Sequence, residues 1–206
     1  TLMRNAIAYS AAQLTRLPYT VDFAFVDLYV NGGYRGNYLL CEKIEVGENR
    51  ININDLDQKN SDANPELLLS ETQRKQHGKT APVRAWCDIP NEPDDISGGY
   101  LLEYEYPDAL ADERSAFVTE YGTCLLLHSP KHATKGEIDY ISDLYEELEE
   151  ALLADDGKNS RGKHYSEYID MDSFIDGLLV YDFTANQDRG FTSWYLFLPE
   201  HGDRKS

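Results

Sequence analysis

The sequence predicts an α+β domain built on a largely antiparallel sheet packed with helices, and three observations predict it. Strand-like segments are grouped instead of alternating one by one with helices. Asn31-Gly32 separates two runs of strand-forming residues, and this dipeptide reaches positive φ at little cost, so it reads as a hairpin turn. Thr134-Lys135-Gly136-Glu137 has the form of a capping box ahead of a long amphipathic pattern. The 206 residues suffice for one sizeable core or two small ones, and the 41% hydrophobic content is that of a globular protein.

The elements follow in order. Ile7, Ala8, Ala11 and Leu14 recur at helical spacing between Leu2 and Leu17, and Pro18 forbids continuation. Val21 to Val30 alternates, with Ala24, Val26, Leu28 and Val30 on one side and Phe23, Phe25, Asp27 and Tyr29 on the other. Beyond the turn, Tyr34 to Val46 returns as an antiparallel strand whose face of Tyr38, Leu40, Glu42 and Ile44 carries one carboxylate. Such a carboxylate must be paired, hydrated or set at a cleft edge, so Glu42 reads equally as a structural ion-pair member and as a ligand-site residue. Residues 47–79 are rich in Asn, Asp, Gln and Lys and read as a peripheral insertion, with a short helix around Pro65 to Gln76. Gly98-Gly99 opens a strand from Tyr100 to Tyr106, and Phe117 to Leu127 forms another.

After the capping box, Ile138, Ile141, Leu144, Tyr145, Leu148 and Leu152 form the buried stripe of a helix. The acidic residues opposite, Asp143, Glu146, Glu147, Glu149 and Glu150, read as a solvated face in preference to a metal site. Gly157 to Lys163 reads as a flexible, partly basic connection. Asp170 caps a third helix over Met171 to Thr184, with Phe174, Leu178, Leu179 and Phe183 turned toward a core. That helix delivers the polar turn holding Asp188, and Thr192 to Leu198 reads as a closing strand. A helix–strand junction places a side chain at the rim of a scaffold, where it can meet a ligand. Ser193 follows Asp188 by five positions; by spacing alone a turn-forming role for Asp188 is favoured over a catalytic one.

Composition excludes several classes. With 37 Asp and Glu against 19 Lys and Arg, the formal charge of −18 argues against a nucleic-acid or anionic-membrane partner. Cys41, Cys87 and Cys124 have no close pair, so neither a zinc knuckle nor a disulfide framework is expected. No run approaches the roughly eighteen apolar residues of a transmembrane helix. A hydrolase finds no support, for there is no Gly-x-Ser-x-Gly elbow, and His77, His128, His132, His164 and His201 show no His-Glu-x-x-His spacing.

Six segments carry a further signal in their order. They are Leu2-Met3-Arg4-Asn5-Ala6, Tyr29 to Ile44, Gly98-Gly99-Tyr100-Leu101-Leu102-Glu103, Ser129-Pro130-Lys131, Tyr168 to Phe174, and Asn186 to Tyr195. Together they resemble the CotH kinase family, named for spore-coat protein H. The resemblance implies an atypical protein-kinase-like fold that binds ATP with Mg²⁺ or Mn²⁺. It implies phosphate transfer to Ser or Thr of a secreted or coat protein, at an extracellular, cell-surface or spore-coat location.

On this resemblance Asp188 becomes the leading catalytic candidate, able to orient an attacking hydroxyl or hold a metal ion, with Asn186 and Ser193 as further metal ligands. Ser193 stands where the family often has Asn, and a hydroxyl is the poorer ligand. Arg4 and Lys43 join Glu42 as cofactor-side candidates, as phosphate or carboxylate partners. The family also has a Trp-Asp-x-Asp strand beyond the segment matching Trp194 to Phe197, and nucleotide-facing strands ahead of Leu2. Residues 1–206 are therefore expected to form a single CotH-like kinase domain, incomplete at both ends, with 47–79 as its insertion. The competing reading is a pseudokinase-like extracellular binding module for protein or polysaccharide, using part of the 15 Tyr, 7 Phe and 2 Trp as an aromatic surface.

Overall fold

A computed structural model describes residues 2–186 and 192–200 of the chain. They fall into two units, residues 2–44 with 169–186 and residues 45–168 with 192–200.

In the first unit, helix α1 (Leu2–Ala12) stops short of Leu17, its end wound into turns by Leu14 N–H on Ala11 O and Thr15 N–H on Ala12 O. Strands β1 (Phe23–Val30) and β2 (Gly33–Cys41) pair antiparallel across Asn31 and Gly32, whose φ angles of 51° and 78° are those a type I′ hairpin turn requires. The ring of Tyr9 on α1 lies 5.8 Å from that of Phe23. Helix α4 (Met171–Phe183) starts at Asp170, whose carboxylate accepts from the N–H groups of Asp172 and Ser173.

Arg16, just beyond α1, fastens α4. Its backbone N–H donates to Asp176 Oδ2 at 2.8 Å, Nη2 to Asp176 Oδ1 at 3.0 Å and Nη1 to Asp172 Oδ2 at 2.8 Å. These bonds hold the Asp176 carboxyl below its ordinary value. The expected core face of α4 is not observed: Leu178, Leu179 and Phe183 are exposed, and the buried positions are Asp176 and Gly177. Apolar residues occur all around this helix, so periodicity selects no face, and the bonds to Arg16 set it instead.

The second unit is a six-stranded antiparallel sheet in the order β3-β4-β6-β7-β5-β8. Its strands are β3 (Arg74–His77), β4 (Val83–Cys87), β5 (Tyr100–Tyr104), β6 (Ala116–Val118), β7 (Cys124–Ser129) and β8 (Tyr195–Leu198). The stretch from Phe117 to Leu127, read as one strand, is a hairpin turned at Gly122, where φ is 91° and Thr119 N–H reaches Thr123 O at 2.9 Å. Residues 47–79 supply helix α2 (Leu56–Ala63), a short 3₁₀ turn and β3, with Leu56 and Asn60 fully buried. The helix falls ahead of Pro65 because Asp55 accepts from Gln58 N–H and starts it at Leu56.

Helix α3 (Lys135–Leu153) covers one sheet face, where Tyr100 stacks on Tyr140 and Phe117 meets Tyr145 edge-on. On the other face Val83, Leu110, Ala116, Val118, Cys124 and Leu126 form an apolar cluster, and burial pushes the Cys124 thiol up to about 11. All three cysteines are free. Gly99, at φ 99°, enters β5 so close to α2 that a Cβ would lie 2.6 Å from Asn54 O and 2.9 Å from Leu56 Cγ. Only glycine fits there.

The acidic face of α3 is more than a solvated surface. Glu147 accepts from the Tyr168 hydroxyl at 2.8 Å and pairs with Arg161, while Glu150 takes both the N–H and the hydroxyl of Ser160. Glu149 is buried against the Thr123 hydroxyl. The segment 157–163, expected to be flexible, folds around Asn159, which is 5% exposed. Its Oδ1 accepts from the N–H groups of Arg161 and Lys163, and its Nδ2 donates to Tyr168 Oη and Glu147 O. Asn159→Ala removes all four bonds of a buried side chain, so it is expected to lower unfolding stability by about 2–3 kcal/mol in urea titrations. A loss below about 0.5 kcal/mol, the usual span of an inert surface change, would show that the loop does not rely on this side chain.

Candidate functional site

Glu42 follows directly on β2 and is half-buried. Its Oε2 accepts from Asp22 N–H at 3.1 Å and from the Tyr19 hydroxyl at 3.3 Å, while its own N–H donates to Asp22 O at 2.9 Å. The carboxylate therefore straps the segment entering β1 to the end of β2, a hydrogen-bonded form of the structural reading. Lys43 is exposed on the next residue, and Arg4 is exposed on α1.

Asn186 lies just beyond α4. The helix ends with Ala185 in the left-handed region at φ 49° and Asn186 N–H bonded to Tyr181 O at 3.0 Å, a closure usually made with glycine. Ser193, in the other unit, is exposed and also left-handed, at φ 57°. Thr192 beside it donates its hydroxyl to Glu105 Oε2 at 2.7 Å, and Trp194 O accepts from Tyr104 N–H at 2.9 Å. Asp188 lies outside the described residues. Non-glycine residues at positive φ cost free energy and concentrate at functional sites, and here two of them bracket the segment that carries Asp188.

The described residues do not by themselves fit a divalent ion. No group of three or more His, Cys, Asp or Glu among them could hold one, and the expected metal ligands Asn186 and Ser193 belong to different units. Sequence reasoning missed a cleft of about 680 Å³ between α3 and the 157–168 segment, lined by Tyr140, Glu147, Arg161, Lys163 and Tyr168 among others. Its one legible trace was the local concentration of Lys158, Arg161 and Lys163 in an otherwise acidic chain. Among the described residues, no helix is long and apolar enough to cross a membrane.

The structure is thus that of an α+β protein with antiparallel sheets, with left-handed backbone at Ala185 just after its last helix and at Ser193 just before its last strand. Residues 1–205 match the family described as CotH kinase protein, and the chain belongs to that family. No curated protein and no solved structure matches it.

Replacing Glu42 with Ala leaves the Asp22 amide without its side-chain acceptor. Hydrogen exchange at that amide is expected to quicken about fivefold to tenfold, as loss of a bond worth about 1 kcal/mol dictates. Unchanged exchange would mean that the strap carries no local stability.

Proposed function

We propose that the chain is a kinase-like domain, of atypical protein-kinase fold, that transfers phosphate from ATP to Ser or Thr of a protein acceptor. The observation that carries this reading is the family match over residues 1–205. The backbone strain at Ala185 and Ser193, on either side of the segment with Asp188, supports it. When bound, ATP with Mg²⁺ or Mn²⁺ supplies the phosphoryl group and offsets its charge. Asp188 is proposed to orient the acceptor hydroxyl, which requires an ionised carboxylate at hydrogen-bond distance from it. Arg4 and Lys43 are the proposed phosphate-facing cations of the first unit. Glu42 is proposed to act there indirectly, by holding the strand that ends beside Lys43. The acceptor is proposed to be a secreted or coat protein and the location extracytoplasmic, both on the family resemblance.

Incubating the chain with ATP, Mg²⁺ or Mn²⁺ and an acceptor protein, and reading phospho-Ser and phospho-Thr by mass spectrometry, tests this. Asp188→Asn is expected to cut transfer by at least about a hundredfold, the usual contribution of a positioned acid–base group. Equal transfer by the variant would remove Asp188 from the mechanism.

A second reading draws on the hairpin, where Phe25, Tyr29 and Tyr34 are each exposed and the rings of Tyr29 and Tyr34 lie 5.4 Å apart. Such a surface suits stacking on a polysaccharide or packing on a protein without nucleotide. Nucleotide-independent retention on a polysaccharide or partner column, lost on Tyr→Ala changes at Tyr29 and Tyr34, would favour it.

A further inference from the structure

The start of α3 is buried at Thr134, Glu137 and Ile138, and one carboxylate organises it. Glu137 is fully buried, as is Asn60 from α2. Glu137 Oε2 accepts from Thr134 N–H at 2.7 Å and from Asn60 Nδ2 at 2.9 Å, while Thr134 Oγ1 accepts from Glu137 N–H. The second hydrogen of Asn60 Nδ2 goes to His132 O at 3.1 Å. Two atoms of this arrangement have no partner, Glu137 Oε1 and Asn60 Oδ1. They are the remaining oxygens of the two planar groups that Oε2 and Nδ2 already join. Turning the Asn60 amide over is no remedy, since Oδ1 would then face the His132 carbonyl and Glu137 Oε2, both acceptors.

Two unpartnered acceptors on an already bonded amide–carboxyl pair are one hydrogen short. We infer that Asn60 and Glu137 form a buried proton-binding site, in which a proton on Glu137 Oε1 donates to Asn60 Oδ1, closes a two-bond ring and makes the second unit sensitive to pH. A single proton satisfies both orphaned atoms and removes an uncompensated charge from the interior.

The surroundings favour the neutral acid. From α2, Asp57 faces the same region; burial works against its charge, but His132 and the N–H groups of Lys131 and His132 keep its carboxyl below the ordinary value, so it stays negative. From β5, the Tyr100 hydroxyl is committed to Ile96 O, and from the preceding loop Glu92 accepts from Gly136 N–H. The lysines on these elements serve other carboxylates, Lys59 pairing with Glu200 and Lys135 with Asp139, and the His132 ring lies against Asp57. Burial, and secondarily the charge of Asp57, push the Glu137 carboxyl up to about 7 against hydrogen bonds from Asn60 and Thr134 that act the other way.

The folded chain then keeps a proton that the unfolded chain releases. Between the ordinary glutamate value of 4.5 and about 7, stability falls as pH rises, and it levels off above that window. Urea titrations of the full chain from about pH 5 to about pH 8 read this directly, and Glu137→Gln supplies the control. The glutamine amide donates to Asn60 Oδ1 and its carbonyl accepts from Asn60 Nδ2 and Thr134 N–H, so the ring persists without a titrating group. The expected result is a pH slope in the wild type that Glu137→Gln flattens, with the variant at least as stable as the wild type at the alkaline end. A variant less stable than the wild type at every pH would overturn the proposal, for the native group would then be a carboxylate bridged by something other than a proton. Should the variant not fold, infrared spectra of the wild type decide: the C=O stretch of a protonated carboxylic acid must be present near pH 6 and fade toward about pH 8. Its absence at the acid end overturns the inference.

Discussion

Burying Thr134, Glu137 and Ile138 at the start of α3 is the constraint on which the second unit is organised. A helix N-terminus exposes backbone N–H groups that need acceptors, and here Thr134 Oγ1 takes that of Glu137 and Glu92 that of Gly136. Asn60 and Asp57 bring α2 to the same place, the one through Glu137 and the His132 carbonyl, the other through the N–H groups of Lys131 and His132. Once that end is set, the tyrosines of α3 meet the sheet through Tyr100 and Phe117, and its acidic side becomes a row of acceptors for the loops around it. Carboxylates that composition assigns to the surface thus do local structural work, because a loop needs acceptors for its backbone as much as a helix does.

The first unit is built on a different balance. Its two-stranded sheet and two helices offer little interior, and two-stranded hairpins depend on added support. The bonds from Arg16 to Asp176 and Asp172 and the Glu42 strap to Asp22 and Tyr19 provide it, while Leu40, Tyr29, Leu179 and Phe183 stay exposed. A family match over nearly the whole chain, together with left-handed backbone at Ala185 and Ser193, directs functional attention to the connection between α4 and β8. The strain is informative because neither residue is glycine.

Much of the fold was legible because its signals are local. Asn31-Gly32 dictates a turn through its own torsional preferences, Thr134 and Glu137 cap a helix three residues apart, and Asp170 starts α4 by bonding the next two amides within reach. The errors came where the deciding partner is remote. Polar residues hid α2 and β3, whose formation rests on Leu56 and Asn60 finding a buried place, and the apolar runs of α4 could not say which side faces inward. The candidate site divided in the same way. The motifs around Glu42 and Asp188 could be read in the chain, but Glu42's bonds to Tyr19 and Asp22 come from residues 23 and 20 positions away.

The sequence by itself determined the hairpin turn and the capped starts of α3 and α4, which depend on residue types at short spacing, and the antiparallel α+β class and the family, which depend on the order of segments along the chain. Only the tertiary structure decided that Asn159 organises a loop, that the acidic stripe of α3 staples its neighbours, and that Glu137 is enclosed with Asn60. Those outcomes depend on which groups lose water together, and desolvation is a property of distant segments meeting in space.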